Sequence, residues 1–269
     1  MAASSTPPMH IADLQRLVTR DPGRPRLTWY GEDGERVELS GAVLHNWVNK
    51  TVNLLVEEFD AGPGTRVVLD LPPHWRAIVW ALATWRTGAT LVVPSRTAGS
   101  DVVGPSAADV VVTSDPGSWA GTDAQLVAVP LPALARRFDG DLPPGTIDAG
   151  SAVMTYGDQI GRVEEIDVAS VAVEPDVSHD GLVAWALAGT ALPSASAPRT
   201  LVGEQQVLAL LRRTLEALAL DGSVVATSPA TTAALASDPV RLGRLRETER
   251  VTHPAQQGED REPPVRREP

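Results

Sequence analysis

The chain has no cysteine and only one lysine, Lys50. The missing cysteines exclude disulfides, thiolate metal ligands and a cysteine nucleophile together, and they leave no redox compartment to read. No uninterrupted apolar run reaches the roughly 18 residues a bilayer-crossing helix needs, so no membrane association is expected. The N-terminal Met1–Pro8 lacks the basic start and apolar core of a secretory signal, which makes the cytoplasm the default location. Positive charge is almost entirely arginine, and the net charge of -11 argues against a nucleic-acid binder, which needs clustered cations to neutralise phosphates.

Apolar residues make up 43% of the 269, enough for a sizeable core in one large domain or two smaller ones. Residues 1–9 are expected to be a flexible leader. Ile11, Leu14, Leu17 and Val18 repeat at helical spacing up to Asp21-Pro22-Gly23. Strands are expected at 26–30 and 35–39, joined through Gly31-Glu32-Asp33-Gly34 as a hairpin. Ser40 is positioned to cap the next helix, whose buried face runs from Leu44 to Phe59. Gly62-Pro63-Gly64 turns the chain into a strand at 66–71, closed by Pro72-Pro73. A helix striped by Trp75, Ile78, Val79 and Leu82 follows and stops at Gly88. Trp75 is expected in the core, with Trp80 and Trp85 spread around the helix, because a five-residue spacing does not share one face.

Buried strands are expected at 89–93, 109–113 and 126–129, and strands alternating with helices imply a parallel α/β layer. Residues 139–181 are irregular, with a sub-boundary placed near 135–180. Val183–Leu187 reads as a further strand, 189–198 as a small-residue loop, 204–220 as a helix, 223–227 as a strand and 239–250 as a helix. The domain is drawn at 10–253. The last residues, 254–269, are too polar and proline-rich to pack and are expected to be disordered.

The order Thr28-Trp29-Tyr30, amphipathic helix, Gly62-Pro63-Gly64-Thr65-Arg66-Val67-Val68-Leu69, Leu71-Pro72-Pro73 and tryptophan-rich helix resembles the start of adenylate-forming enzymes, the AMP-binding, acyl-CoA synthetase-like superfamily. The resemblance covers roughly 10–130 and, more faintly, 177–252. It implies an α/β fold of layered sheet with flanking helices like the N-terminal subdomains of those enzymes, with their C-terminal domain absent. A group of short proteins in that superfamily stops at about this length in a Glu-Arg-Val-Thr-like segment, and this chain is similar to them at Glu249-Arg250-Val251-Thr252.

Such enzymes join a carboxylate to the α-phosphate of ATP, which requires backbone donors and positive charge around a developing anion. The superfamily does this with a loop of the type Thr-Ser-Gly-Thr-Thr-Gly-x-Pro-Lys-Gly. The corresponding stretch here is Ala186-Leu187-Ala188-Gly189-Thr190-Ala191-Leu192-Pro193-Ser194. It keeps the Gly189-Thr190 pair and Pro193, has apolar residues where the hydroxyls belong, and has no lysine. Gly189, Thr190 and the nearest cation, Arg199, are the residues through which the resemblance implies contact with ATP or AMP. No catalytic residue and no metal ligand is carried over. The superfamily's magnesium-binding acid, its ribose-binding acid and its second lysine have no counterpart after Val251.

Other signals have bland readings. Gly62-x-Gly64 precedes a strand rather than opening a helix, so it reads as a tight turn and not a dinucleotide fingerprint. Lys50 lies mid-helix without a glycine loop, as a solvated residue. The five histidines lack metal-ligand spacing. His74 is expected to cap or to lie at the surface, and His179-Asp180 lacks the nucleophile elbow of a hydrolase. Asp158, Glu164, Glu165 and Asp167 read as a solvated acidic loop. The expectation is a truncated adenylate-forming-like protein without adenylation activity of its own, serving as a ligand-binding or interaction module. A ligase working with a partner subunit is the alternative, and the C-terminal tail is a third candidate, as a docking segment for a protein partner.

Overall fold

The computed structural model describes residues 8–94, 108–190 and 197–254. Most of the leader, residues 191–196 of the expected phosphate loop and the tail from 255 lie outside them.

The chain opens with helix α1 (Ile11–Thr19) and the hairpin of β1 (Pro25–Tyr30) and β2 (Arg36–Ser40). The hairpin turns through Asp33 and Gly34, both at positive φ, where a short polar residue and a glycine are the least strained choices. Ser40 accepts from the Val43 amide and starts helix α2 (Gly41–Phe59). Strand β3 (Arg66–Asp70) leads into helix α3 (Trp75–Thr87), which His74 caps through Nδ1 on the Arg76 amide and Gly88 ends at φ +87°. Strands β4 (Thr90–Val92), β5 (Val110–Thr113), β6 (Gln125–Ala128) and β7 (Ile147–Asp148) follow, then the short helix α4 (Ala149–Ala152). After them come β8 (Val171–Val173) and β9 (Val177–Ser178), α5 (Leu182–Leu187), β10 (Arg199–Val202) and α6 (Val207–Ala219). The last elements are β11 (Ser223–Thr227), α7 (Pro229–Ala236), α8 (Pro239–Thr248) and β12 (His253–Pro254).

Two sheets organise these elements. One has the order β12-β10-β11-β1-β2 and the other β7-β6-β5-β3-β4-β8-β9. Both are parallel apart from their terminal hairpins, β1–β2 and β8–β9. Helices α2, α3 and α6 share one apolar core with Leu27, Trp29, Val224 and Ala226 from the first sheet and Val67, Leu69 and Val112 from the second. A second, smaller core sets Trp119, from the turn after β5, against Val68, Val92, Val111 and Leu126, residues of alternate parity from the second sheet, as the period-two alternation of a strand requires.

Helix α3 has no solvent face to speak of, since every residue except Arg86 is buried. A helix that is apolar all round belongs inside a protein. The tryptophans do spread around the helix, but the core is not reserved for Trp75: Trp75, Trp80 and Trp85 are all buried. The expected strand at 183–187 is also corrected. The segment is helix α5, burying Leu182, Val183 and Ala186, one helical face. A short apolar run is ambiguous between the two states, and here packing against α6 decides.

Candidate functional site

Alternation along the first sheet determines what its outer face carries. Leu27 and Trp29 of β1 enter the core, so Thr28 and Tyr30 face outward. Their partners in register on β2 are Glu38 and Arg36. On the other side, Arg199 of β10 is paired with Ser223 of β11. The outer face therefore presents Arg36, Tyr30, Thr28, Ser223 and Arg199 in a band, and Glu249, just past the end of α8, lies over it.

Glu249 is the node of this band. Tyr30 donates its hydroxyl to Glu249 Oε1 at 2.5 Å, and Arg36 donates to the same oxygen from Nε and Nη2 at 3.1 and 2.9 Å. Arg199 donates to Glu249 Oε2 and to the Glu249 carbonyl, and also reaches Thr28 Oγ1 at 3.1 Å and Ser223 Oγ at 3.3 Å. The Glu249 side chain is 4% exposed and that of Arg199 16%. Burial pushes the Glu249 carboxyl up, but hydrogen bonds from Tyr30, Arg199 and Arg36 outweigh it and hold the pKa below the usual carboxylate range. Burial followed by the Glu249 hydrogen bond raises the Tyr30 phenol. Arg24 and Arg250 join these groups around an open cleft of about 540 Å³.

The three residues expected to contact a nucleotide are held in separate ways. Gly189 follows α5 at φ +74°, and no described residue other than its chain neighbours lies within 4 Å of where a Cβ there would stand. The Thr190 hydroxyl donates to Glu216 on α6, and Arg213 binds the other oxygen of that carboxylate at 3.0 Å. Arg212 binds the Trp185 and Ala188 carbonyls at the end of α5. Arg199 belongs to the Glu249 cluster. Rather than an ordinary surface residue, it is one side of a buried ion pair.

Lys50 is not a free solvated residue, because its ammonium donates to the Tyr156 carbonyl. Asn49 and Asn53 bind the same segment at Asp158, Gly157 and Gln159. His74 is a cap, as expected, and it is buried against Trp29, with ring centroids 4.8 Å apart. Burial and then the charge of Arg76 lower its pKa to about 3. His179 is buried with Nε2 3.2 Å from the Gly88 carbonyl. Asp158, Glu164, Glu165 and Asp167 are exposed, and among the described residues no group of three acids or histidines is gathered for a metal. Nor is any helix there long and apolar enough to cross a membrane.

Sequence reasoning reached Arg199 but missed Glu249, Tyr30 and Arg36 as its companions. The hairpin register alone pairs Tyr30 with Arg36, so half of the cluster had a local signal. Glu249 lies 50 positions from Arg199 and had none.

Comparison with known proteins agrees with this architecture. No family model matches the chain. A protein of Mycobacterium tuberculosis, whose name gives a family number and no activity, is 37% identical over 153 residues, 55% of this chain and 60% of the relative. The fatty acid AMP ligase from Legionella pneumophila superposes with a TM-score of 0.67 at 14% identity, covering 92% of this chain and 44% of that one. The Brucella canis acyl-CoA synthetase gives 0.64 at 19% identity, covering 87% and 49%. The chain thus spans about half the length of the solved structures it matches, and it has the fold of the N-terminal portions of adenylate-forming enzymes.

Proposed function

We propose that this chain does not form acyl-adenylates by itself and acts as a ligand-binding or interaction module of cytoplasmic setting, built on the adenylate-forming fold. The observation that carries this reading is the neutralisation of Arg199 by Glu249. Activating a carboxylate on ATP needs a cation free to meet charge as it develops on the α-phosphate. Arg199 is instead committed to a buried carboxylate, Thr190 to Glu216, and Lys50 to a backbone carbonyl. A triphosphate arriving at Arg199 would have to displace an acid that Tyr30 and Arg36 already hold in place with three hydrogen bonds. ATP or AMP, or an acyl group, remains the ligand class implied by the fold, entering a cleft such as the one beside Arg199.

The test is the purified chain incubated with magnesium, ATP and carboxylic acids from acetate to long-chain acyl. No pyrophosphate release above the protein-free blank is expected, and turnover under these conditions would overturn the reading. Repeating the assay with proteins that co-purify from native extract examines the ligase that borrows a lysine and a magnesium ligand from a partner.

A further inference from the structure

Arg86 is the one residue of α3 that reaches out of the core. Among the described residues its guanidinium has no hydrogen-bond or ion-pair partner, and the charge nearest to it in effect is another cation, Arg16. Arg86 opens on a cleft of about 570 Å³ bounded by α1, α2 and residues 158–160, which Gln15, His45 and Asn49 also line. That volume suits a small ligand.

The hydrogen bonds around this cleft fix the tautomer of His45. Asn49 Nδ2 is 2.8 Å from the Asp158 carbonyl, which can only accept, so that atom is the amide nitrogen. Its second hydrogen meets His45 Nε2 at 3.0 Å, making Nε2 the acceptor. Burial, then the charge of Arg86, lowers the ring's pKa and so favours its neutral form. The proton of a neutral imidazole must then be on Nδ1. Among the described residues, His45 Nδ1 and Gln15 Nε2 are buried donors without a partner, and Asn49 Oδ1 is a buried acceptor without one. Each such orphan carries its desolvation penalty unrelieved, and native proteins rarely leave several together unless something fills them.

We infer that this cleft is an oxyanion site for a small hydroxyl-bearing anion, either phosphate and its monoesters or a hydroxycarboxylate. The guanidinium of Arg86 supplies a planar pair of donors, Gln15 and His45 supply neutral ones, and Asn49 Oδ1 accepts the ligand's hydroxyl. Gln15 reaches the ligand by side-chain rotation, and His45 does so by exchanging its Nε2 contact with Asn49 for the ligand. Asp13 is already occupied by Arg16, and Asp158, which lines the rim, is exposed. The site is separate from the Glu249 cluster and stands or falls independently of the proposed function.

The experiment is isothermal titration of the full chain at low ionic strength with inorganic phosphate, lactate and acetate. Saturable one-site binding of phosphate or lactate, with acetate weaker for want of a hydroxyl, is expected, and which of the two binds tighter assigns the ligand class. Arg86→Gln and Gln15→Leu should each weaken binding at least tenfold, while Arg241→Gln, on an exposed face of α8, should leave it unchanged. Far-ultraviolet circular dichroism checks each variant's fold, and Gln15→Leu decides the matter if Arg86→Gln does not fold. Absence of saturation with both phosphate and lactate, or wild-type affinity in a folded Arg86→Gln, overturns the inference.

Discussion

Tyr30 and Glu249 lie 219 positions apart in the chain and meet through a hydrogen bond of 2.5 Å on the outer face of the first sheet. With Arg36 and Arg199 they tie the hairpin, β10 and the segment after α8 to a single carboxylate. Removing that carboxylate leaves two guanidinium groups facing each other over the sheet.

Glu249→Gln is therefore expected to destabilise the fold by about 3 kcal/mol, the scale for breaking one partner out of a buried ion pair. Equilibrium urea unfolding measures it. A change under about 0.5 kcal/mol would mean that solvent screens the cluster.

Stability should fall in acid for two reasons of the same sign. Glu249 has a lowered folded pKa, so its contribution is present above its unfolded value and is lost as pH drops through the folded one. His74 is held neutral to about pH 3. Between the ordinary histidine value of about 6.5 and pH 3 the unfolded chain binds one more proton there than the folded chain does, so stability falls with pH across that window. His45 and His179, also lowered, add in the same direction. His74→Asn keeps a capping side chain and does not titrate. Its unfolding free energy should lose about one proton's worth of slope between pH 6.5 and 4, and an unchanged slope would place the effect elsewhere.

Asn53 holds the 157–161 segment with three hydrogen bonds, to the Gly157 and Gln159 carbonyls and from the Gly161 amide, at 3.0, 2.8 and 3.0 Å. Asn53→Ala is expected to cost about 2 kcal/mol, on the scale of leaving buried groups unpaired. Amide exchange at 157–161 should accelerate more than in α3. Uniform acceleration would show that the segment does not open on its own.

Legibility followed the range of the interactions. The β1–β2 hairpin, the Ser40 cap, the Gly62–Gly64 turn and the stop at Gly88 rest on signals a few residues long, and all lie where the spacing predicts them. Helix α7 is missing from the sequence expectation, although Ser228-Pro229 carries a start signal and Ser228 does cap it. Strand β8 is missing for a better reason: three residues in an irregular region become a strand by lying between β4 and the two-residue β9.

The candidate site divides the same way. Arg199 could be found by position along the chain, because a loop motif is a local pattern. Its neutralisation could not, because Glu249 reaches it only through the fold.

The chain's alternations, caps and glycines determined the β1–β2 hairpin, the starts of α2 and α3, the stop at Gly88 and the apolar side of those elements, since these depend on backbone sterics and on neighbours within a turn or two. Tertiary structure decided that α5 is a helix, that three tryptophans on different faces of α3 can all be buried between two sheets, and that Arg199 ends in an ion pair while Arg86 stays unmatched. Burial and charge pairing are properties of what surrounds a side chain in space, and that company is assembled from residues as far as 219 positions away.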